Sequence, residues 1–370
     1  MPEGKGIKAC KRNYLILATA ILLFVAVSFL IILSFVSIRK PSLSWRYETG
    51  GPVISSPIVR SGIVYVGSSD GNFYALEAST GKLVWKYETG GPIWSSPAYW
   101  GGIIYVGSSD RGLYALNASS GKLIWVFKAY NKILSSPIVY KGAVYFGSWD
   151  NYVYSLNATS GELIWKYYAG DIVDGSPSAY KGVIYIGSLD HEGIKEVGAL
   201  HALNATSGDL IWKLRVGGEI STLHPEISQG RLYFGSRDGN IYALNASTGD
   251  IIWVYPTDDH ITASAPKVHE EILYIGSCDG NVYALNSANG KLVWKYGIGG
   301  RVQSTPHLHD GVVYIGSGNG DLYALDAKTG EKLWSYKTMG AVSSAPTTYG
   351  ELIIFGSTDG HIYGIRTNNH

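Results

Sequence analysis

The chain has 370 residues, 16% of them charged, with 47 glycines, 28 tyrosines and 11 tryptophans. Length alone leaves room for two or three ordinary domains, but this composition suits many short strands joined by tight turns. A net charge of +1 removes the usual electrostatic basis for a nucleic-acid partner.

From the N-terminus the chain divides into 1–13, 14–38 and 41–370. No charged residue lies between Asn13 and Ile38, and Tyr14–Val36 is almost wholly apolar. About 20 such residues span a ~30 Å hydrocarbon core as a helix, so 14–38 is expected to be a single transmembrane signal anchor. A cleavable signal would carry an apolar stretch of only about 7–15 residues and a small-residue cleavage site, which Phe35-Val36-Ser37-Ile38-Arg39-Lys40 does not offer. Lys5, Lys8, Lys11 and Arg12 outnumber Arg39 and Lys40 across the run. That excess places 1–13 in the cytoplasm and 41–370 outside the cell membrane. Cys10 precedes the run, so it is not the lipid-modified cysteine that follows a lipoprotein signal, and Cys278 lies across the membrane from it. No internal disulfide is available, and the outer domain must hold by packing.

Beyond residue 40 one unit recurs, clearest in Ser95-Ser96-Pro97, Ile104-Tyr105-Val106-Gly107-Ser108, Leu113-Tyr114-Ala115-Leu116-Asn117 and Gly121-Lys122-Leu123-Ile124-Trp125. Its tryptophan stands at 45, 85, 125, 165, 212, 253, 294 and 334, at intervals of 40, 40, 40, 47, 41, 41 and 40. A repeat of about 40 residues holding four strands is the mark of a β-propeller. The first strand follows the Ser-Ser-Pro step, the second carries Tyr-x-Gly-Ser, the third Tyr-Ala-Leu and the fourth the tryptophan. Asp-Gly at 70–71, 238–239, 279–280 and 359–360, with Asn319-Gly320, turns the second strand into the third. Proline at 57, 97, 137, 177, 225, 266, 306 and 346 is expected on the innermost strand, whose free edge faces a central channel and tolerates a missing N–H. The last unit stops after Ile365 without a fourth strand, while a spare one, Leu43-Ser44-Trp45-Arg46-Tyr47, precedes the first. The expected fold over 41–370 is therefore all-β, an eight-bladed β-propeller closed by pairing the N-terminal strand into the last blade.

Ala324-Leu-Asp-Ala-Lys-Thr-Gly-Glu-Lys-Leu-Trp334, with variants at 75–85, 115–125, 155–165, 202–212, 243–253 and 284–294, resembles the tryptophan-docking motif of pyrroloquinoline quinone (PQQ)-type propeller repeats. The resemblance covers 41–370 and implies that each tryptophan is held against the neighbouring blade. That family includes quinoprotein dehydrogenases and also the cofactor-free propeller lipoprotein of the bacterial outer-membrane barrel-assembly machinery, so the fold does not choose the function. For a dehydrogenase the resemblance implies a vicinal disulfide over the cofactor, a tryptophan beneath it, and a Glu/Asn/Asp set holding calcium beside an aspartate base. Cys10 and Cys278 exclude the vicinal pair. Trp94 and Trp149 break the repeat and would offer an aromatic floor, whereas Ile54, Trp94, Leu134, Ile58, Ala98 and Ile138 put apolar residues beside the channel in the first three blades.

Polar departures gather in blades four to seven. Asp171, Asp174, Glu219, Asp258, Asp259, His260, Arg301 and Gln303 precede the proline step, and Glu226, Lys267 and His307 follow it by one residue in successive blades. These last three are expected side by side near the axis, as a Glu–Lys–His network in a wet channel or as an anion or metal site. His307-x-His309 puts two imidazoles on one strand face, with His269 matching His309 in the adjacent blade, and neutral imidazoles are zinc or copper ligands. The 47-residue interval arises between Ser188 and Leu203 and reads as a loop between the second and third strands with seven extra residues. With Arg237, its His191, Glu192 and Lys195 complete the partner-binding candidates on the face that holds most of these charges. Gly316-Ser-Gly-Asn-Gly320 joins two strands and is a turn, not a phosphate cradle. The recurrent Gly-Ser pairs are strand ends with no Ser–His–Asp arrangement to activate them.

On the opposite face Asn117, Asn157, Asn204 and Asn245 open glycosylation sequons in the same turn of four consecutive blades, a turn that also favours Asn or Asp for its own geometry. The reading as a whole is a non-enzymatic, membrane-anchored, extracytoplasmic scaffold without a cofactor that binds another protein or a cell-surface polymer. The alternative is a PQQ- and calcium-dependent oxidoreductase using the funnel of blades four to seven.

Overall fold

Each repeat folds as its pattern of apolar residues requires. The second and third strands of a unit, such as Ile103–Gly107 and Gly112–Asn117, are buried almost throughout, because neighbouring blades cover both faces of the sheet. The fourth, such as Leu123–Lys128, alternates exposed and half-buried positions, as an edge strand at the rim does. The computed structural model describes residues 40–192, 195–220 and 224–367, so 1–13 and the expected anchor at 14–38 lie outside it. Pro41–Thr367 contains eight four-stranded antiparallel sheets, one per repeat. Among the described residues no helix is long and apolar enough to cross a membrane.

The ring closes as the chain ends require. Ser42–Glu48 pairs antiparallel with His361–Arg366, the strand that Leu352–Gly356 and Thr347–Tyr349 precede in the last blade. Two expectations need correcting. The eight repeat prolines stand one residue before the three-residue inner strands, as Pro97 does before Ala98–Trp100, so none of them takes a ladder N–H from those strands. The insertion is not a loop either: Val183–Glu192 and Lys195–Asn204 are ten-residue strands paired from Val183↔Asn204 to Glu192↔Lys195. The extra residues lengthen a hairpin because the added strand residues as far as Glu192 and Lys195 pair across the ladder.

Adjacent blades are joined by their tryptophans. The indole N–H of Trp45, Trp85, Trp125, Trp165, Trp212, Trp253 and Trp294 donates to a backbone carbonyl of the next blade at 2.9–3.1 Å. A tyrosine of the second strand donates to the same oxygen, as Tyr65 and Trp85 both do to Ala118. Beneath the indole lies a glycine: a Cβ on Gly121, at φ +69°, would sit 2.6 Å from the Trp85 ring. The turn therefore needs glycine both for its left-handed backbone and for the space it leaves.

A second device fixes the turns at the other end of the blades. Asp70 Oδ2 accepts from Gly50 N at 2.7 Å and from the Tyr74 hydroxyl at 2.6 Å, while its Oδ1 accepts from Asn72 N. Burial alone would raise this carboxyl, but the Tyr74 hydroxyl and the two amides hold it below its ordinary value. Asp110, Asp150, Asp238, Asp279 and Asp359 repeat the clamp with Tyr114, Tyr154, Tyr242, Tyr283 and Tyr363.

Trp45 is 7% exposed and bridges the seam, so Trp45→Ala is expected to cost about 3 kcal/mol. Removal of residues 42–48 should lower the Tm sharply. A truncated chain that unfolds like its parent would contradict the closure.

Candidate binding face and axial channel

Three positions before each proline, the chain turns toward the axis. Ile54, Trp94, Leu134, Asp174, Ala263, Gln303 and Ser343, equivalent residues of seven blades, line one cavity of about 360 Å³ together with Arg237. Equivalent residues of seven blades meet only on the axis. Arg237 belongs to a turn between second and third strands, so the funnel opens on the face that carries those turns. Its wall is mainly apolar along blades one to three, and along blades four to seven it carries Asp174, Arg237, Thr262 and Gln303 beside Ala263.

The polar arc is already knit together. Trp149 Nε1 donates to Asp174 Oδ1 at 2.9 Å, and burial raises the Asp174 carboxyl against the opposing pull of that bond and of Arg237. Arg237 Nη1 reaches Glu219 Oε2 at 2.7 Å. Asp259 and His260 pair at 2.5 Å, and the His260 backbone N–H leads the interactions, Arg301 among them, that hold the Asp259 carboxyl down. Trp94 stands apart on the apolar side, 46% exposed. In the long hairpin Asp190 is tied to Lys213 at 2.6 Å and Arg215 at 2.8 Å. His191, Glu192 and Lys195 sit at its tip, with side chains outside the described part.

Below the funnel the serine hydroxyls of blades one to four line the waist. Ala345 N donates to Ser56 Oγ, Ser56 N to Ser96 Oγ, Ser96 N to Ser136 Oγ and Ser136 N to Ser176 Oγ, each at 2.9 Å. In blade five His224 replaces the serine and reverses the stitch, with Nδ1 lying 2.7 Å from the Pro177 carbonyl of blade four. A carbonyl only accepts, so Nδ1 carries the proton. Burial pushes this imidazole down to about 4 despite that bond.

Past the waist lies a second cavity of about 420 Å³, lined by Ile138, Ser178, His224, Glu226 and Lys267 among others. Lys267 Nζ donates to Glu226 Oε2 at 3.1 Å, but His307 does not join them. Its Nε2 lies 3.3 Å from Thr348 Oγ1, and burial, aided by His309 and Lys267, pushes it down to about 4. His309 faces Asp310 at 3.3 Å, and His269 lies 3.9 Å from Glu270. The three imidazoles therefore have separate neighbours, and among the described residues no group of three His, Cys, Asp or Glu side chains is placed to hold a metal.

Among the described residues the donor set of the funnel does not fit a PQQ–calcium site. Asp174 is engaged by Trp149, the facing wall is Ile54, Trp94 and Leu134, and Cys278 is buried with its Sγ 3.4 Å from Thr262 Oγ1. A Ser–His contact does exist, at Ser188 Oγ and His201 Nε2, 3.0 Å apart. Both residues are fully buried and burial pushes His201 down to about 3, so this is an internal bond that no substrate reaches. Its signal is present in the sequence: His201-Ala-Leu stands where other blades have Tyr-Ala-Leu. On the far face the sequon asparagines act as turn caps, the Oδ1 atoms of Asn157, Asn204 and Asn245 each accepting two backbone N–H groups. Asn117 does the same with Ser119 and Ser120.

His224 yields a prediction. A histidine whose folded value lies below its unfolded value of 6.5 contributes full stability above pH 6.5 and loses it as pH falls toward 4. His224→Ser introduces the serine that blades one to four carry at this position, so its Tm should fall less than the parent's between pH 6.5 and 4. Equal falls in a thermal-melt series would contradict the assignment.

The family profile described as outer membrane protein assembly factor BamB matches residues 37–95, 88–192, 150–305 and 279–369. No curated protein sequence matches. Among solved structures, BamB from Moraxella catarrhalis aligns at a TM-score of 0.73 and 18% identity, over 88% of this chain and 99% of that one. The quinohemoprotein alcohol dehydrogenase from Comamonas testosteroni aligns at 0.74 and 16%, over 89% and 77%. The computationally designed Ika8 protein aligns at 0.76 and 16%, over 88% and 99%. These likenesses concern the propeller fold. With the profile spanning nearly all of the repeats, the chain belongs to the BamB-like family of PQQ-type β-propellers.

Proposed function

We propose that this propeller is a non-enzymatic, extracytoplasmic scaffold, held to the membrane by residues 14–38, whose funnel face binds another protein or a cell-surface polymer. The observation that carries the reading is where the repeat is broken. Trp94, Trp149, Asp174, Arg237, Asp259, His260, Arg301 and the long hairpin all depart from the repeat at the same end of the blades. A repeat fold that varies on one face uses that face for recognition. The family's description as an outer membrane protein assembly factor, together with the structural likeness to BamB, agrees with a protein-binding role.

The opposite face has a simpler chemistry. Asn117, Asn157, Asn204 and Asn245 keep Nδ2 available while Oδ1 caps the turn, so in a glycosylating host this face would carry sugars and leave the funnel side clear. Intact mass of protein from its native source tests this, and an unshifted mass rules it out there.

Cross-linking mass spectrometry on intact membranes tests the main reading. Cross-links to another macromolecule at Lys132, Lys166 or Lys295 with few at Lys82, Lys122 and Lys328 support it; the reverse distribution overturns it. The quinone-dependent reading has its own outcome: calcium-dependent dye reduction after reconstitution with PQQ would establish an oxidoreductase.

A further inference from the structure

Blade three departs from the repeat at four aromatic positions, all at the funnel-face end. Tyr130 stands where other blades have Gly50 and Gly90, and Trp149 where they have Ser69 and Ser109. Tyr152 replaces Asn72 and Gly112, and Tyr168 replaces Glu48 and Glu88. The fold brings these rings into one patch. Tyr152 and Tyr168 are cross-strand partners with ring centroids 5.5 Å apart. Lys166 Nζ lies 4.6 Å from the Tyr152 ring centre and 5.9 Å from that of Tyr130, and Lys132 Nζ lies 5.2 Å from that of Trp149.

The rings are held but not covered. Trp149 is pinned by Asp174 and the Tyr168 hydroxyl by the Gly170 carbonyl at 3.0 Å. Tyr130 is nevertheless 80% exposed and Tyr168 57%. Neither Lys132 nor Lys166 has a carboxylate partner among the described residues; the aromatic faces are their neighbours instead. Oriented aromatic rings offer flat apolar area at low entropic cost, which matches the C–H face of a pyranose. The unpaired ammoniums call for negative charge on the same ligand.

We propose that the blade-three patch is a binding platform for an acidic polysaccharide, whose sugar rings stack on Tyr130 and Tyr168 and whose carboxylates meet Lys132 and Lys166. This deepens the reading of the funnel face as a recognition surface and rests on it. A polyuronate supplies a ring and a charge in every residue. An acidic peptide supplies the charge without the ring, and a neutral glucan the ring without the charge.

Affinity electrophoresis of the full-length chain in detergent separates these cases, with alginate, polyglutamate, dextran and oligo(dT) as probes. Alginate should bind at least about tenfold more tightly than any other probe, and its binding should weaken with salt. Tyr130→Gly with Tyr168→Glu, which restores the residues of other blades, should weaken alginate binding about tenfold and leave the Tm unchanged. Lys132→Ala with Lys166→Val should remove most of the salt dependence. Binding of polyglutamate or oligo(dT) as tight as that of alginate, alginate binding indifferent to the tyrosine variant, or no binding of alginate would each overturn the proposal. If membrane cross-links remain on the funnel face after such a result, the broader reading stands; if they are lost as well, both fall.

Discussion

One carbonyl oxygen per interface sets the spacing of the ring. The Ala118 oxygen accepts the Trp85 indole N–H and the Tyr65 hydroxyl together, filling both of its lone pairs with donors from the preceding blade. The same two rings pack at 5.9 Å, so hydrogen bonding and apolar contact specify one geometry. Ala158, Ala205, Ala246, Ser287 and Ala327 repeat the arrangement. At these interfaces the indole, the hydroxyl and the carbonyl satisfy one another, which matters because an orphaned buried polar group is costly. At the seam Trp45 makes its bond to Ala78 alone, since Ile354 takes the tyrosine position. That strand therefore depends more heavily on its own ladder to close the ring.

This docking sits toward the end of the blades that carries the sequons, and the consequence is a division of labour. Residues that space the blades are repeated, while the funnel end is constrained mainly by the aspartate clamps. Where a clamp is lost, another bond replaces it. Blade four has no Asp-Gly turn, and Asp190 instead anchors the long hairpin to Lys213 and Arg215, with His201 occupying the site of the clamp tyrosine. Blade three keeps its clamp at Asp150 and Tyr154 and changes only the residues around it. That is how a surface is altered without moving the backbone beneath it.

Blade number and closure are legible in the sequence because the features that carry them are periodic or terminal: eight tryptophans, and a spare strand opposite a missing one. The axial register is legible for the same reason. The sequence puts Ile54, Trp94 and Leu134 beside the channel and Asp174 just before the proline step, and all four line one cavity. What the pattern does not carry is whatever depends on side-chain direction. Glu226, Lys267 and His307 occupy equivalent positions, yet only the first two bond, because Thr348 in the next blade offers His307 a partner. His224 is not singled out by the repeat pattern; its role emerges only with the Pro177 carbonyl of another blade in view. The insertion reads as a loop when extra residues are expected to bulge, whereas both flanking strands extend in register.

The central claim is that one face of the ring is built for recognition and the other is not. Hydrogen exchange of the chain in native membranes, compared with the purified and partner-free chain, measures this directly. Added protection is expected in peptides covering 130–132, 149–152, 168–174, 258–260 and 301–303, and none in the turns at 118–121 and 158–161. Protection confined to those turns, or identical exchange in both preparations, would contradict the claim.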